Sequence, residues 1–306
     1  MSLLEVKELT KYYPIKKPFQ DTKYIKAIDG ISFSVGINTT LGIVGESGCG
    51  KSTLAKQLMK LESMTSGEII FPSLNNEKRH SIQMIFQDPY NSLNPRKKCW
   101  QIIAEPLLIN TKLSKKACFN QALEMMKLVG LRPELANRYP HMFSGGQRQR
   151  IGIARSLILK PKVLICDEPV SALDVSIQAQ VLNLLIKLQN ELNLTYLFIS
   201  HDLSVVKHIA DNILVMYLGK VVEYGPRQEI FNSPAHPYTQ ALLSSSPTIN
   251  STSNQAFELT GELPSPLDPP QGCHFHQRCP FAVDECKISY PEKKIIGTRE
   301  VSCHIV

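Results

Sequence analysis

Eight residues early in the chain, Gly45-Glu46-Ser47-Gly48-Cys49-Gly50-Lys51-Ser52, have the types and spacing that grip phosphate. They fit the pattern G-x-x-x-x-G-K-[ST]. Glycines let backbone N–H groups curl around phosphate oxygens, and a helix that follows aims its positive end at them. Lys51 then reaches the β- and γ-phosphates, and Ser52, followed by Thr53, offers a hydroxyl to Mg²⁺. Such a site also needs an acid at a strand end. Val163-Leu164-Ile165-Cys166-Asp167-Glu168 supplies Asp167 for the metal, through water, and Glu168 as a general base for the attacking water. Phe143-Ser144-Gly145-Gly146-Gln147-Arg148 writes a second anion site, because Ser144 can cap a helix whose first N–H groups the glycines leave bare.

These residues need strands that end at them and helices that start from them. Leu41 to Val44, Ile82 to Phe86, Val163 to Cys166 and Tyr196 to Ile199 are short runs apolar on both faces, as a buried, mostly parallel sheet requires. Val175 to Leu192 carries Ile177, Val181, Leu184, Leu185, Leu188 and Leu192 on one stripe, with Asp174 available as its N-cap. Ser114 to Val129 repeats the pattern with Cys118, Ala122, Met125, Met126 and Val129. The alternation predicts an α/β fold, with a helical insertion from about 90 to 140. After Gly225 the chain turns rich in Pro, Ser and Asn, which predicts extended, turn-rich structure.

The totals agree with one large domain and an appendage: 306 residues, 43% hydrophobic and 20% charged. A net charge of +7 suits an anionic ligand or an anionic membrane nearby. Without a block of five like charges it does not point to nucleic acid. The opening MSLLEVKELT is charged where a signal peptide is apolar, and no apolar run reaches the roughly 18 residues of a membrane span. Eight cysteines without an export signal predict a reducing compartment.

The phosphate loop, the strand-end acids and the Ser144-Gly145-Gly146-Gln147 turn together resemble ATP-binding-cassette (ABC) ATPases over residues 1 to about 225. The resemblance implies a P-loop fold with a RecA-like core of mixed sheet, an antiparallel β part, and a helical subdomain at about 90–160. It also implies roles. Tyr13 matches the aromatic residue that stacks on adenine, with Tyr12 as the alternative. Gln87 matches the glutamine that senses Mg²⁺ and water, Asp174 ends the D-loop match Ser171-Ala172-Leu173-Asp174, and His201 matches the switch histidine on the γ-phosphate. In that family two cassettes meet head to tail, and the signature turn of one closes over ATP held by the other.

Asn91-Ser92-Leu93-Asn94-Pro95-Arg96, Glu105-Pro106-Leu107-Leu108, His236-Pro237-Tyr238-Thr239-Gln240-Ala241-Leu242-Leu243 and Gly261-Glu262-Leu263-Pro264-Ser265-Pro266 resemble bacterial dipeptide and oligopeptide importer subunits, especially the F-type. This implies a D-type partner cassette, two transmembrane permease subunits, an extracytoplasmic peptide-binding protein, and a place on the cytoplasmic face of the inner membrane. Nickel, glutathione and antimicrobial-peptide systems share the same tail, and a soluble ABC ATPase or a non-hydrolysing scaffold cassette are the other readings. A short permease helix is expected to dock in a groove that includes 90–100. Residues 226–306 form the extension.

Cys273, Cys279, Cys286 and Cys303 crowd into that extension. Disulfides are disfavoured by the compartment. Zinc usually takes C-x₂₋₄-C pairs, which are absent here, although His274, His276 and His304 keep a Cys/His zinc site open. Four thiolates at varied spacing can hold a [4Fe–4S] cluster, with which such tails have been associated.

Overall fold

The computed structural model describes residues 2–16, 18–19, 21–72, 81–88, 92–245 and 261–306. Of the expected features, Tyr90 and Asn91 at the start of the helical insertion lie outside the described residues. The chain forms two compact units, Met1–Ser73 with Ile199–Val306, and Leu74–Phe198.

The first unit begins with β1 (Ser2–Ile15), β2 (Lys23–Gly36), β3 (Thr40–Val44), α1 (Lys51–Leu58) and β4 (Ser66–Ile70). β1 pairs antiparallel with β2 and β4, and Leu4, Val6, Leu9, Ile28 and Ile31 fill the covered face. These long strands escape a period-2 search because Lys7, Glu8 and Lys11 interrupt the apolar positions and register shifts break the alternation.

The second unit runs β5 (Ile82–Ile85), α2 (Cys99–Asn110), α3 (Lys115–Leu128), α4 (Gly145–Leu157), β6 (Val163–Asp167), α5 (Val175–Leu192) and β7 (Thr195–Ile199), the last residue of which belongs to the first unit. Its strands lie in the order β7-β6-β5, with β5 and β6 parallel and Ile82 opposite Val163. Every residue of β6 and β7 is buried, as strands covered on both faces require. The expected helix at 175–192 has those bounds, yet Asp174 makes no side-chain cap bond. Ser114 does cap α3, accepting from the Ala117 N–H at 3.2 Å. Trp100 of α2 meets Phe119 of α3 edge-on at 5.2 Å.

The first unit resumes with α6 (Leu203–Ile209), β8 (Asn212–Tyr217), β9 (Lys220–Pro226), α7 (Arg227–Asn232), α8 (Pro237–Ser244), α9 (Glu285–Ile288), β10 (Lys293–Ile296) and β11 (Arg299–Ser302). Its strand order is β10-β11-β9-β8-β3, parallel only at β3–β8. The proline-rich tail therefore returns to the sheet, with Val301 opposite Glu223. Among the described residues, no helix is long and apolar enough to cross a membrane.

Candidate nucleotide site

In the first unit β3 ends at Val44 and α1 begins at Lys51, so Gly45 to Gly50 form the loop between a buried strand and a helix N-terminus. Backbone crowding dictates two of the glycines. A Cβ on Gly45 would lie 2.2 Å from the Met216 carbonyl oxygen, and one on Gly50, at φ +110°, would lie 2.3 Å from the Ala27 carbonyl oxygen. Gly50 occupies the N-cap of α1, so the first N–H groups of that helix lack a side-chain cap. Lys51 is 7% exposed and its ammonium donates to the carbonyls of Gly45 at 2.6 Å and Glu46 at 2.9 Å. Ser47, Gly48 and Ser52 are exposed and Cys49 is buried.

Tyr12 and Tyr13 are neighbours on β1, so their side chains leave opposite faces. Tyr12 donates to Asp29, and burial followed by that bond pushes its phenol up to about 12. Tyr13 donates to Glu62, while Thr53 of α1 also bonds it, which puts Tyr13 on the side of the phosphate-loop helix. The Lys11 ammonium stands 4.9 Å from the centre of its ring. His201 is exposed just beyond β3's carboxyl end, since Ser200 N–H donates to the Ile43 carbonyl at 3.3 Å.

In the second unit Asp167 closes β6 and is 8% exposed. Glu168 follows at φ +45°, a left-handed conformation that costs a side chain free energy. Its carboxylate accepts from the Gln87 side chain at 2.8 Å, and its carbonyl accepts from the Ser171 hydroxyl at 3.1 Å. Gln87 and Glu168, 81 positions apart, are thus brought together. Ser144 caps α4 reciprocally: the Gln147 N–H reaches its hydroxyl at 3.4 Å, and the Gln147 side chain accepts from the Ser144 N–H at 3.1 Å. Gly145 and Gly146 open that helix, and a cavity of about 570 Å³ beside it is lined by Ser144, Gly146 and Gln147 with Arg132, Arg138 and Arg150. Asp174 is exposed at the head of α5.

Two residues that sequence reasoning did not assign to this region hold the phosphate loop in the first unit. The Tyr238 hydroxyl accepts from the Glu46 N–H at 2.9 Å, and Arg278 forks onto the Glu46 carboxylate at 2.8 and 3.0 Å. The His-Pro-Tyr run was a legible signal of the first: His236 caps α8 through Nδ1, Pro237 starts it, and Tyr238 is delivered fully buried.

The four tail cysteines are near one another. Burial pushes the Cys273 thiol up to about 11, and charges on Cys286, Cys303 and Cys279 add to that. Cys273, Cys286 and Cys303 are buried and Cys279 half-buried. Among the described residues, no group of three Cys, His, Asp or Glu is arranged to hold a metal ion.

Within the segment 90–100, expected to form part of a docking groove, Leu93 is 2% exposed and belongs to the core of its unit. Lys97 and Trp100 line a cavity of about 330 Å³ together with Gln101, Glu105, Lys115 and the exposed Leu108 and Ile109.

A phosphate-gripping loop on a buried parallel strand defines a P-loop nucleotide-binding protein. Residues 28–171 match the ABC transporter family, and residues 222–286 match the C-terminal region of oligopeptide/dipeptide transporters. The chain is 54% identical to the dipeptide transport ATP-binding protein DppF of Escherichia coli K12, over 99% of this chain and 94% of that one. It is 50% identical to the oligopeptide transport ATP-binding protein OppF of Salmonella typhimurium, over 98% and 95%. Among solved structures, cbiO1 of Clostridium perfringens, part of an ABC transporter complex, aligns with a TM-score of 0.65 at 30% identity, covering 76% of this chain and 91% of that one. A dimeric cassette, MJ0796, bound to ADP and phosphate after hydrolysis aligns with a TM-score of 0.62 at 28% identity, covering 73% and 98%. The chain belongs to the ABC transporter family, as an ATP-binding subunit with an ATPase cassette.

Proposed function

We propose that this chain binds and hydrolyses ATP to drive the import of dipeptides or oligopeptides through separate membrane subunits. The hydrogen bond between Gln87 and Glu168 carries the hydrolytic part. It holds the base of the reaction in a strained but fixed position, with its carboxylate turned toward the residue that senses the metal and water. In the first unit Lys51 and the loop N–H groups would bind the phosphates, Ser52 would offer its hydroxyl to Mg²⁺ and Tyr13 would stack on the base; in the second unit Gln87 and, through water, Asp167 would serve Mg²⁺. His201 contacts the γ-phosphate. The capped turn at Ser144 to Gln147, beside an arginine-lined cavity, suits a nucleotide offered by a second cassette, with Asp174 near that contact. Mg²⁺ supplies charge neutralisation for phosphoryl transfer.

Peptide as the cargo is supported by the family match over 222–286 and by the relatives named above. The functional division is an ATPase region, 1–225, with an importer-type extension, 226–306. The partners are a D-type cassette, two permeases and an extracytoplasmic binding protein, at the cytoplasmic face of the inner membrane. The permease helix docks on the Leu108–Ile109 surface rather than at Leu93.

A [4Fe–4S] cluster on Cys273, Cys279, Cys286 and Cys303 as a structural staple for the tail is supported by the number of cysteines and their mutual nearness, and not by an arrangement among the described residues ready to hold an ion. A zinc ion bound at about 2.3 Å needs its sulfurs about 3.8 Å apart. Zinc remains the competing occupant.

The test is Glu168→Gln in the assembled transporter. ATP binding persists, while hydrolysis and uptake of a labelled dipeptide fall at least about a hundredfold. Unchanged hydrolysis removes Glu168 as the base. Hydrolysis in the parent transporter that ordinary dipeptides and oligopeptides leave unchanged, but that nickel or glutathione stimulates, moves the cargo to another class.

A further inference from the structure

Arg278 reaches back 232 positions to the phosphate loop. Its guanidinium donates to both carboxylate oxygens of Glu46 and, at 3.4 Å, to the Tyr217 hydroxyl. The arginine side chain is 7% exposed and the glutamate 23%. A bidentate, poorly hydrated pair of this kind fixes geometry as well as charge.

Glu46 is an unexpected neighbour for a triphosphate. A free carboxylate in the loop would repel the incoming anion, and partial burial would strengthen that repulsion. Arg278 neutralises the carboxylate by pairing with both of its oxygens, while the Glu46 N–H is held by Tyr238. The loop's carboxylate and one of its N–H groups are therefore committed to residues of the C-terminal extension.

The position of Arg278 depends in turn on the cysteine-bearing chain. The turn from Cys273 to Cys279 is tight: His276 N–H donates to the Cys273 carbonyl at 3.0 Å and Arg278 N–H to the Phe275 carbonyl at 2.9 Å. Cys273 N–H donates to the Cys286 carbonyl at 2.8 Å, linking the turn to α9. Phe275, fully buried, lies edge-on to Tyr217 at 5.2 Å and to Tyr238 at 5.4 Å. Two of the four cysteines thus bracket the turn that delivers both the aromatic wedge and the arginine.

We propose that Arg278 is a positioning residue for nucleotide binding, holding the Glu46 carboxylate off the phosphates, so that MgATP affinity depends on the order of the cysteine-bearing tail. The proposal rests on the reading of Gly45 to Ser52 as the phosphate loop.

The experiment measures equilibrium binding of a fluorescent MgATP analogue to the full chain, with melting temperature recorded for each variant. Arg278→Met should bind about tenfold more weakly, and adding Glu46→Gln to it should restore affinity to within about twofold of the parent. Rescue by removing the stranded charge is an outcome that a merely structural arginine would not give. Cys279→Ser should weaken binding in the parent but not in the Arg278→Met/Glu46→Gln background. If Arg278→Met does not fold, Arg278→Lys, which keeps the charge without the fork, should show an intermediate loss. Parental affinity in Arg278→Met, or in Arg278→Lys where Met does not fold, overturns the proposal, and so does failure of Glu46→Gln to rescue. Lys51→Ala serves as the control: if it binds as tightly as the parent, the phosphate-loop reading itself has failed.

Discussion

His236 shows how a single side chain can set the acid limit of the first unit. Its ring is fully buried, and burial pulls its pKa down to about 3. Nδ1 accepts from the Tyr238 N–H at 3.0 Å, and the Glu223 carboxylate accepts from the His236 N–H at 3.0 Å. In the unfolded chain the imidazole titrates near 6.5, so between about pH 6.5 and 3 the unfolded state binds the extra proton. Stability from this group is complete above about pH 6.5 and falls by about 1.4 kcal/mol per unit of acidification below it. His236→Asn keeps a capping oxygen and removes the titration. The loss of unfolding free energy between pH 7 and pH 5, read by urea denaturation, should shrink by about 2 kcal/mol in that variant. An unchanged loss would assign the acid sensitivity elsewhere.

Among the elements, α2 and α4 divide the work of the second unit. α4 presents Ser144 and its glycines through a reciprocal cap, and Arg148 supports the approach by donating to the Pro140 carbonyl at 2.9 Å and the Phe143 carbonyl at 3.1 Å. Ser144→Ala should cost about 1 kcal/mol of stability through the lost cap. Its larger effect should be on ATPase activity of the paired cassettes, falling at least about tenfold while MgATP affinity of the isolated chain holds. Equal loss in both measurements would mean that the turn serves only to fold α4. α2 leaves Ile109 72% exposed and Leu108 43% exposed at its end. Ile109→Asp should leave hydrolysis by the isolated chain within about twofold and abolish its stimulation by the permeases. Stimulation that survives would move the docking surface off α2.

For the molecule as a whole, the tail is the informative part. It adds β10 and β11 to the sheet of the first unit, closes an aromatic cluster of Tyr217, Tyr238 and Phe275, and gathers four thiols. Protein purified anaerobically should be brown, absorb at about 400 nm and lose that band on Cys286→Ser. A colourless protein with one zinc per chain would replace the cluster by a single ion.

The sequence by itself marked the candidate chemistry: which loop has the phosphate-gripping pattern, which acids end β6, and which turn caps α4. Each is a local pattern in which a few adjacent residues must satisfy a strand end or helix start, so spacing suffices to read them. The apolar runs at 41–44, 163–166 and 196–199 were legible for the same reason, because strands buried on both faces leave no polar position. The partly exposed strands β1 and β2 were not legible, since charged residues and register shifts blur their alternation. Nor did any local pattern tell that Leu93 is core or that Asp174 heads α5 without a side-chain cap bond. Only the tertiary structure decided which distant residues meet: Gln87 with Glu168, Tyr238 and Arg278 with Glu46. Such pairs are fixed by how the strands and the tail fold back over tens to hundreds of positions, and burial then gives each contact its strength.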